Sequence, residues 1–378
     1  MNPTDLTARH YGTGQPLKVV LSEGRIAAIE NAASAPENLW LAPALVDLQV
    51  NGYGGVDFQQ DQLITVDQLL FAARQLRADG CARCLLTLIT DEWPKLTARL
   101  RHLRALRATS PELLHAVVGW HVEGPFLSEK PGFNGAHDPR LMLDPTPAHI
   151  RELREITGHD PLLLTLAPER KGAIDAIALA VSLGIKVSLG HTDASAETLR
   201  AAVQAGATGF THLGNGCPRE LDRHDNILWR VLETPGLTVS LIPDGHHVSP
   251  APFRLIHRLL DAAAIYYTTD AMAAAASAGP GRFTLGKLTV EVGADQIVRQ
   301  PGQTNFAGSA LRPIDGVFRA ADMLGCPWQE TWKRFSEVPA RWAGLTAGLA
   351  VGQEAPCCLL SFDNAERLDS LRVLEGGR

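Results

Sequence analysis

No stretch of the chain approaches the roughly 20 consecutive apolar residues that cross a bilayer. The Ala-rich AMAAAASAG at 271–279 is among its longest apolar runs, and a membrane protein is excluded. The first twenty residues, MNPTDLTARHYGTGQPLKVV, lack the continuous apolar core of a signal peptide. Positive charge is not in surplus: 35 Lys and Arg against 41 Asp and Glu give a formal net charge of -6. A nucleic-acid partner is therefore not expected. Cysteine is sparse, with Cys81, Cys84, Cys217, Cys326, Cys357 and Cys358 as the six. They make no disulfide framework, and the cytoplasm is the expected location. Cys81 and Cys84 form a lone C-x-x-C that runs into apolar LLTLIT with no second pair to complete a zinc site, so buried structural thiols are expected. Low-complexity segments and repeats of solenoid period are also absent.

What remains is a globular composition, 45% hydrophobic and 20% charged, over a length of 378 residues that suits a large α/β barrel with a small appendage. Eight short apolar segments rich in β-branched residues, at 44–52, 84–90, 115–124, 162–169, 185–192, 209–214, 237–247 and 264–271, read as strands. Amphipathic stretches such as VDQLLFAARQLRADG, KGAIDAIALAVSLG, SAETLRAAVQAG and PFRLIHRLLDAAA read as helices between them, several closed by a C-capping Gly. Eightfold alternation predicts a (β/α)8 TIM-like barrel.

The ends break this rhythm. LKVVLSEGRIAAIE (17–30) reads as a hairpin and CCLLSF as a further strand. A small β-sandwich domain built from both termini, 1–43 with 345–378, is expected beside a catalytic barrel over 44–344.

The polar residues gather at the C-terminal ends of the predicted strands: Gln49 and Asn51, Thr90, His121 and Glu123, Glu169, His191, His212, Asp244 and His247, and Asp270. In a barrel that end is the active-site face. Glu123, His191 and His212 are the metal candidates, since two imidazoles and one carboxylate leave a coordination position open for chemistry. An ion there can activate water and polarise a carbonyl oxygen. A strand-end His taken singly more often caps a loop, but two on successive predicted strands with a carboxylate on a third favour the metal. Zinc is expected, with Fe(II), Mn and Co open for this donor set. Asp270, in YYTTDAM, is the candidate general acid/base, with an N-cap for the following Ala-rich stretch as the structural alternative.

These residues carry a resemblance. LAPALVDLQVNGYGG (41–55), TLIT (87–90), HVEGPFLSEKPGFNGAHDP (121–139), TLAPE (165–169), GHTDAS (190–195), THLGNG (211–216), PDGHHV (243–248), TTDAM (268–272) and FAGSAL (306–311) resemble, in this order, the amidohydrolase superfamily and within it the N-acetylglucosamine-6-phosphate deacetylase family. The resemblance implies hydrolysis of the N-acetyl group of N-acetyl-D-glucosamine 6-phosphate to glucosamine 6-phosphate and acetate. It assigns Glu123, His191 and His212 to the metal, Asp270 to acid/base work, and His137 to polarising the acetyl carbonyl. Asn215 and Gly216 correspond to amides near the sugar phosphate, and His247 to a substrate contact. Arg223 corresponds to a phosphate-binding arginine supplied by the neighbouring subunit of a homodimer. Most amidohydrolases carry His-x-His on the first strand; here Gln49-Val50-Asn51 stands there, expected to face substrate, and amides are poor zinc ligands beside imidazole. One divalent ion per subunit follows, and the Ala-Pro-Glu after the fourth strand argues against a carboxylated-lysine binuclear site. The alternatives are a deacetylase of N-acetylgalactosamine 6-phosphate or of a non-phosphorylated amino sugar, or a catalytically silent sugar-binding barrel.

THLGNGCPRELDRHDN (211–226) departs from the family pattern at Gly214, at Gly216-Cys217 and over Asp222–Asn226. Arg219, Arg223 and His224 can serve a phosphate, with Gly214 and Gly216 opening the backbone to an anion. Asp222 and Asp225 can instead neutralise Arg223 in an ordinary mixed-charge loop.

Overall fold

The computed structural model describes residues 4–60, 64–277, 279–302, 305–353 and 356–374, so residues 1–3, 354–355 and 375–378 of the expected terminal domain, and Ala278 of the Ala-rich stretch, lie outside the described residues. Eight strands form a parallel sheet: Leu45–Val50, Cys81–Ile89, Val117–Glu123, Leu162–Leu166, Lys186–Leu189, Gly209–Phe210, Thr238–Leu241 and Ile265–Tyr267. They stand side by side in chain order and match the eight predicted segments. Covered by helices outside and side chains inside, they are buried on both faces, which is why they read as near-continuous apolar runs.

The seam between the first and eighth strands closes through a parallel bridge from Val50 to Ala271. Asp47 reinforces it from the first strand. Its fully buried carboxylate accepts from the Thr268 hydroxyl at 2.5 Å, the Thr269 hydroxyl at 2.6 Å and the Thr269 amide at 3.1 Å. Burial raises this carboxyl to about 6, although those donors favour its charge.

The intervening helices carry their own start signals. Thr65 and Gln68 form a capping box before Val66–Ala78, Ser195 caps Ala196–Gln204, and Asn226 accepts from the amides of Leu228 and Trp229. Glu337–Trp342 plugs the barrel at the N-terminal ends of the strands: Trp342 stacks on Tyr266 at 5.3 Å, and Val338 and Ala340 pack with Val46, Leu48, Leu85 and Leu163.

Both termini share a six-stranded sheet. Leu368–Leu374, Cys357–Phe362, Leu39–Pro43, Thr4–His10, Pro16–Ser22 and Arg25–Asn31 lie in that spatial order, and the predicted hairpin and CCLLSF strand are among them. A further element follows the eighth barrel strand: Gly281–Leu285, Leu288–Val292 and Val298–Arg299 make a three-stranded antiparallel sheet. It packs through Leu285, Val290, Val292 and Val298 onto Met272, Ala273 and Ala274. The Ala-rich segment is therefore held in turns under this sheet, and among the described residues no helix begins at Asp270. The N-cap alternative for Asp270 falls with it.

Candidate metal centre and active site

Glu123 ends the third barrel strand, while His191, His212 and Asp270 each follow the end of their own. Those three are among seven non-glycine residues with positive φ among the described residues, at +50°, +33° and +51°. Such backbone is costly for L-residues and persists where the surroundings enforce it. Here it falls on three candidate site residues from different strands.

The Oε1 of Glu123 lies 2.9 Å from Nε2 of His212 and 3.5 Å from Nε2 of His191. One donor atom from each of the three falls within 4.8 Å of the others, and all three residues are buried. Nδ1 of His191 donates to the Phe133 carbonyl at 2.9 Å, which fixes the tautomer and leaves the Nε2 lone pair facing Glu123. Burial pushes the Glu123 carboxyl up, but the two imidazoles outweigh it and hold the group well below its usual range. Burial lowers His212 and Glu123 reverses that, so its pKa is raised. Two imidazole nitrogens and one carboxylate oxygen, preoriented and nearly dry, fit a divalent cation.

His137 adds a third ring. It lies edge-on to His191 at 4.6 Å, with Nε2 3.9 Å from Glu123 Oε2 and Nδ1 2.9 Å from the Thr90 hydroxyl. Burial, then the neighbouring His191, lowers it to about 3, so it is neutral. Beneath the cluster His121 is buried between the hydroxyls of Thr165 at 2.8 Å and Thr87 at 3.3 Å, and burial lowers it to about 4.

Asp270 is buried at the mouth. Burial, then the charge of Glu123, raises its carboxyl to about 7. His247 has its Nδ1 2.6 Å from Asp244, and its ring packs on Phe306 at 4.8 Å. Gln49 and Asn51 are both buried at 2% exposure.

The 211–226 stretch divides. Asn215 turns back on the chain, its amide nitrogens bonding the His212 carbonyl at 2.9 and 3.3 Å. Gly216 lies against the metal candidate: a Cβ there would stand 2.9 Å from Nδ1 of His191, and one on Gly135 would stand 2.7 Å from its Cε1. Arg223 is exposed, and among the described residues its guanidinium has no ion-pair partner. Asp225 pairs with Arg230 at 2.6 Å, and Asp222 accepts the amides of His224 and Asp225, so neither neutralises Arg223 as the mixed-charge alternative supposed. Sequence reading did not single out Phe133, Gly135 or Phe306. The GFNG turn was the available signal for the first two, whereas the Phe306 contact depends on how the three-stranded sheet folds back.

A closed β/α barrel bearing a buried Glu-His-His cluster at its C-terminal mouth has the build of an amidohydrolase. No protein-family model matches the chain. It is 30% identical over 326 residues to the N-acetylglucosamine-6-phosphate deacetylase of Vibrio furnissii, covering 85% of this chain and 79% of the relative. It is 31% identical over 328 residues to the N-acetylgalactosamine-6-phosphate deacetylase of Escherichia coli O157:H7, covering 86% and 84%. A mutant N-acetyl-D-glucosamine-6-phosphate deacetylase from Mycobacterium smegmatis, solved in complex with N-acetyl-D-glucosamine-6-phosphate, superposes with a TM-score of 0.86 at 30% identity over 100% of this chain and 99% of that one. The chain belongs to the N-acetylglucosamine-6-phosphate deacetylase family, as its motifs implied.

Proposed function

We propose that the protein hydrolyses the N-acetyl group of N-acetyl-D-glucosamine 6-phosphate, giving glucosamine 6-phosphate and acetate. The observation that carries this reading is the convergence of Glu123, His191 and His212 beside a buried Asp270, in a chain so similar to a relative solved with that sugar phosphate.

Glu123, His191 and His212 would hold one divalent ion, with zinc the proposed identity. Such an ion supplies Lewis-acid activation of water and of the acetyl carbonyl. Asp270 takes the proton of the attacking water as its oxygen bonds to the carbonyl carbon. The same proton then passes to the sugar nitrogen as the C–N bond breaks, so the amine leaves neutral and Asp270 is regenerated. His137 hydrogen-bonds the acetyl oxygen. That role needs its proton on Nε2, which follows when the Thr90 hydroxyl donates to Nδ1 across their 2.9 Å contact.

His247, held by Asp244, contacts the sugar, with Asn215 and Gly216 on the phosphate side. Arg223 reaches the phosphate in the neighbouring active site of a homodimer; its exposure and lack of an ion-pair partner among the described residues support this. None of the helices among the described residues is long and apolar enough to cross a membrane, and a cytoplasmic location is part of the proposal.

Acetate release by the zinc-loaded protein tests the reading, with N-acetylglucosamine 6-phosphate, N-acetylgalactosamine 6-phosphate and unphosphorylated N-acetylglucosamine compared by kcat/KM. Preference for the first is expected. Preference for the second would change the sugar and keep the phosphate site, and preference for the third would remove the phosphate from the reading.

A further inference from the structure

Asn51 occupies the barrel seam opposite Asp270, and its side-chain amide donates to Oδ1 of Asp270 at 2.6 Å. Both partners are pinned by backbone. The Asn51 amide donates to the Ala271 carbonyl at 2.7 Å, and the Asn51 carbonyl accepts from the Phe58 amide at 3.1 Å and the Gln59 side chain at 3.4 Å. The Asp270 carbonyl accepts from the Ser309 amide at 2.9 Å. The contact is therefore set by the seam and not by a mobile side chain. Gln49, two residues earlier, leaves its Nε2 buried without a hydrogen-bond partner among the described residues, so it does not share the task. The amide orientation at Asn51 follows from charge, because the reverse would set its oxygen against a carboxylate. The Asn51 side-chain oxygen is left buried and without a hydrogen-bond partner among the described residues.

We propose that Asn51 is a positioning residue for Asp270: by occupying Oδ1 it leaves Oδ2 as the atom that receives the water's proton and returns it to the leaving nitrogen. This rests on the deacetylase reading and replaces the expectation that Asn51 contacts substrate. A hydrogen bond to a charged group contributes about 1.5–3 kcal/mol, so its removal lowers kcat about 10- to 100-fold. KM should stay within about twofold, since the bond does not touch substrate.

The experiment compares wild type, Asn51→Leu, which matches the shape without the donor, and Asn51→Ser, which is too short to reach, in zinc-loaded full-length protein. Expected is a fall in kcat for both, with KM and bound zinc unchanged and the acid limb of the pH–rate profile moved to higher pH. A raised KM with unchanged kcat would restore the substrate-contact role and overturn the proposal. If wild type releases no acetate from any of the three sugars, the deacetylase reading fails separately. Crystal structures of wild type and Asn51→Leu then decide the positioning claim: an Asp270 carboxylate that keeps its orientation without the amide sinks it.

Discussion

Nδ1 of His191 stands 2.9 Å from the carbonyl oxygen of Phe133, and Gly135 and Gly216 press on the same imidazole from the loops on either side. The ring is thus aimed by a hydrogen bond and clamped by two residues without side chains. Gly216 has φ +63°, so replacing it adds backbone strain as well as a methyl group 2.9 Å from the ring. Gly216→Ala is expected to weaken metal binding at least 10-fold, the scale seen when the support of a metal ligand is disturbed. Gly325→Ala is the control, because that glycine has φ +64° but open space around it. Zinc content after dialysis against a competing chelator measures both; equal retention would mean that the clamp does not matter.

Asp270→Asn removes the proposed proton acceptor while keeping the shape. Loss of a general base costs about 10²- to 10⁴-fold in kcat, with fold and metal retained. The pH dependence has a fixed sign. Asp270 must be ionised to accept the proton, and burial with the Glu123 charge raises it to about 7, so the rate falls as pH drops through that region. A cation held by Glu123 favours the ionised form and moves the limb lower. An unaltered acid limb in Asp270→Asn would assign it to another group.

His121 links the site to stability. Its folded pKa, lowered to about 4 by burial, lies below the ordinary 6.5. The unfolded chain takes up this proton as pH falls below 6.5 while the folded chain resists until about 4. Stability is therefore present above that window and lost through it, by about 3 kcal/mol for this residue. In metal-free protein, urea unfolding between pH 7 and pH 5 should show a steeper loss for wild type than for His121→Gln. Parallel slopes would mean that the buried imidazole does not govern acid sensitivity.

Arg223→Ala should raise KM for the phosphorylated sugar about 10-fold and leave kcat nearly unchanged, because a phosphate contact made equally in ground and transition states is uniform binding. Mixing Arg223→Ala with Asp270→Asn protein checks the subunit crossing. Mixed dimers then hold one site that lacks both groups and one that has both, so activity at low substrate should rise above the sum of the separate variants. No rise would place the arginine in its own subunit's site or outside the reaction.

The eight barrel strands are legible in the sequence because parallel strands covered on both faces must be apolar throughout, and the metal cluster is legible because strand ends in a barrel converge. Other parts depend on packing. TDLTARH, the first strand of the terminal sheet, carries charge and shows no apolar run, since one side of that sheet is exposed. GRFTLGKLTVEV is a hairpin with a two-residue turn at Gly286-Lys287, a signal that the barrel rhythm alone does not require. Local preference favours helix for the Ala-rich stretch after Asp270, and the hydrophobic face of that hairpin overrides it. Nothing local in the NGY motif marks Asn51 as a partner of Asp270, 219 positions away; the seam creates that contact.

The terminal sheet also ties folding to the timetable of synthesis. Leu39–Pro43 sits between Thr4–His10, which precedes the barrel in the chain, and Cys357–Phe362, which follows it. On the ribosome one edge of that early strand stays unpaired until all eight barrel strands have been translated, a long exposure for an open edge. Completion of the sheet therefore waits for synthesis of Cys357–Phe362, and a chain released before Cys357 carries its open edge permanently.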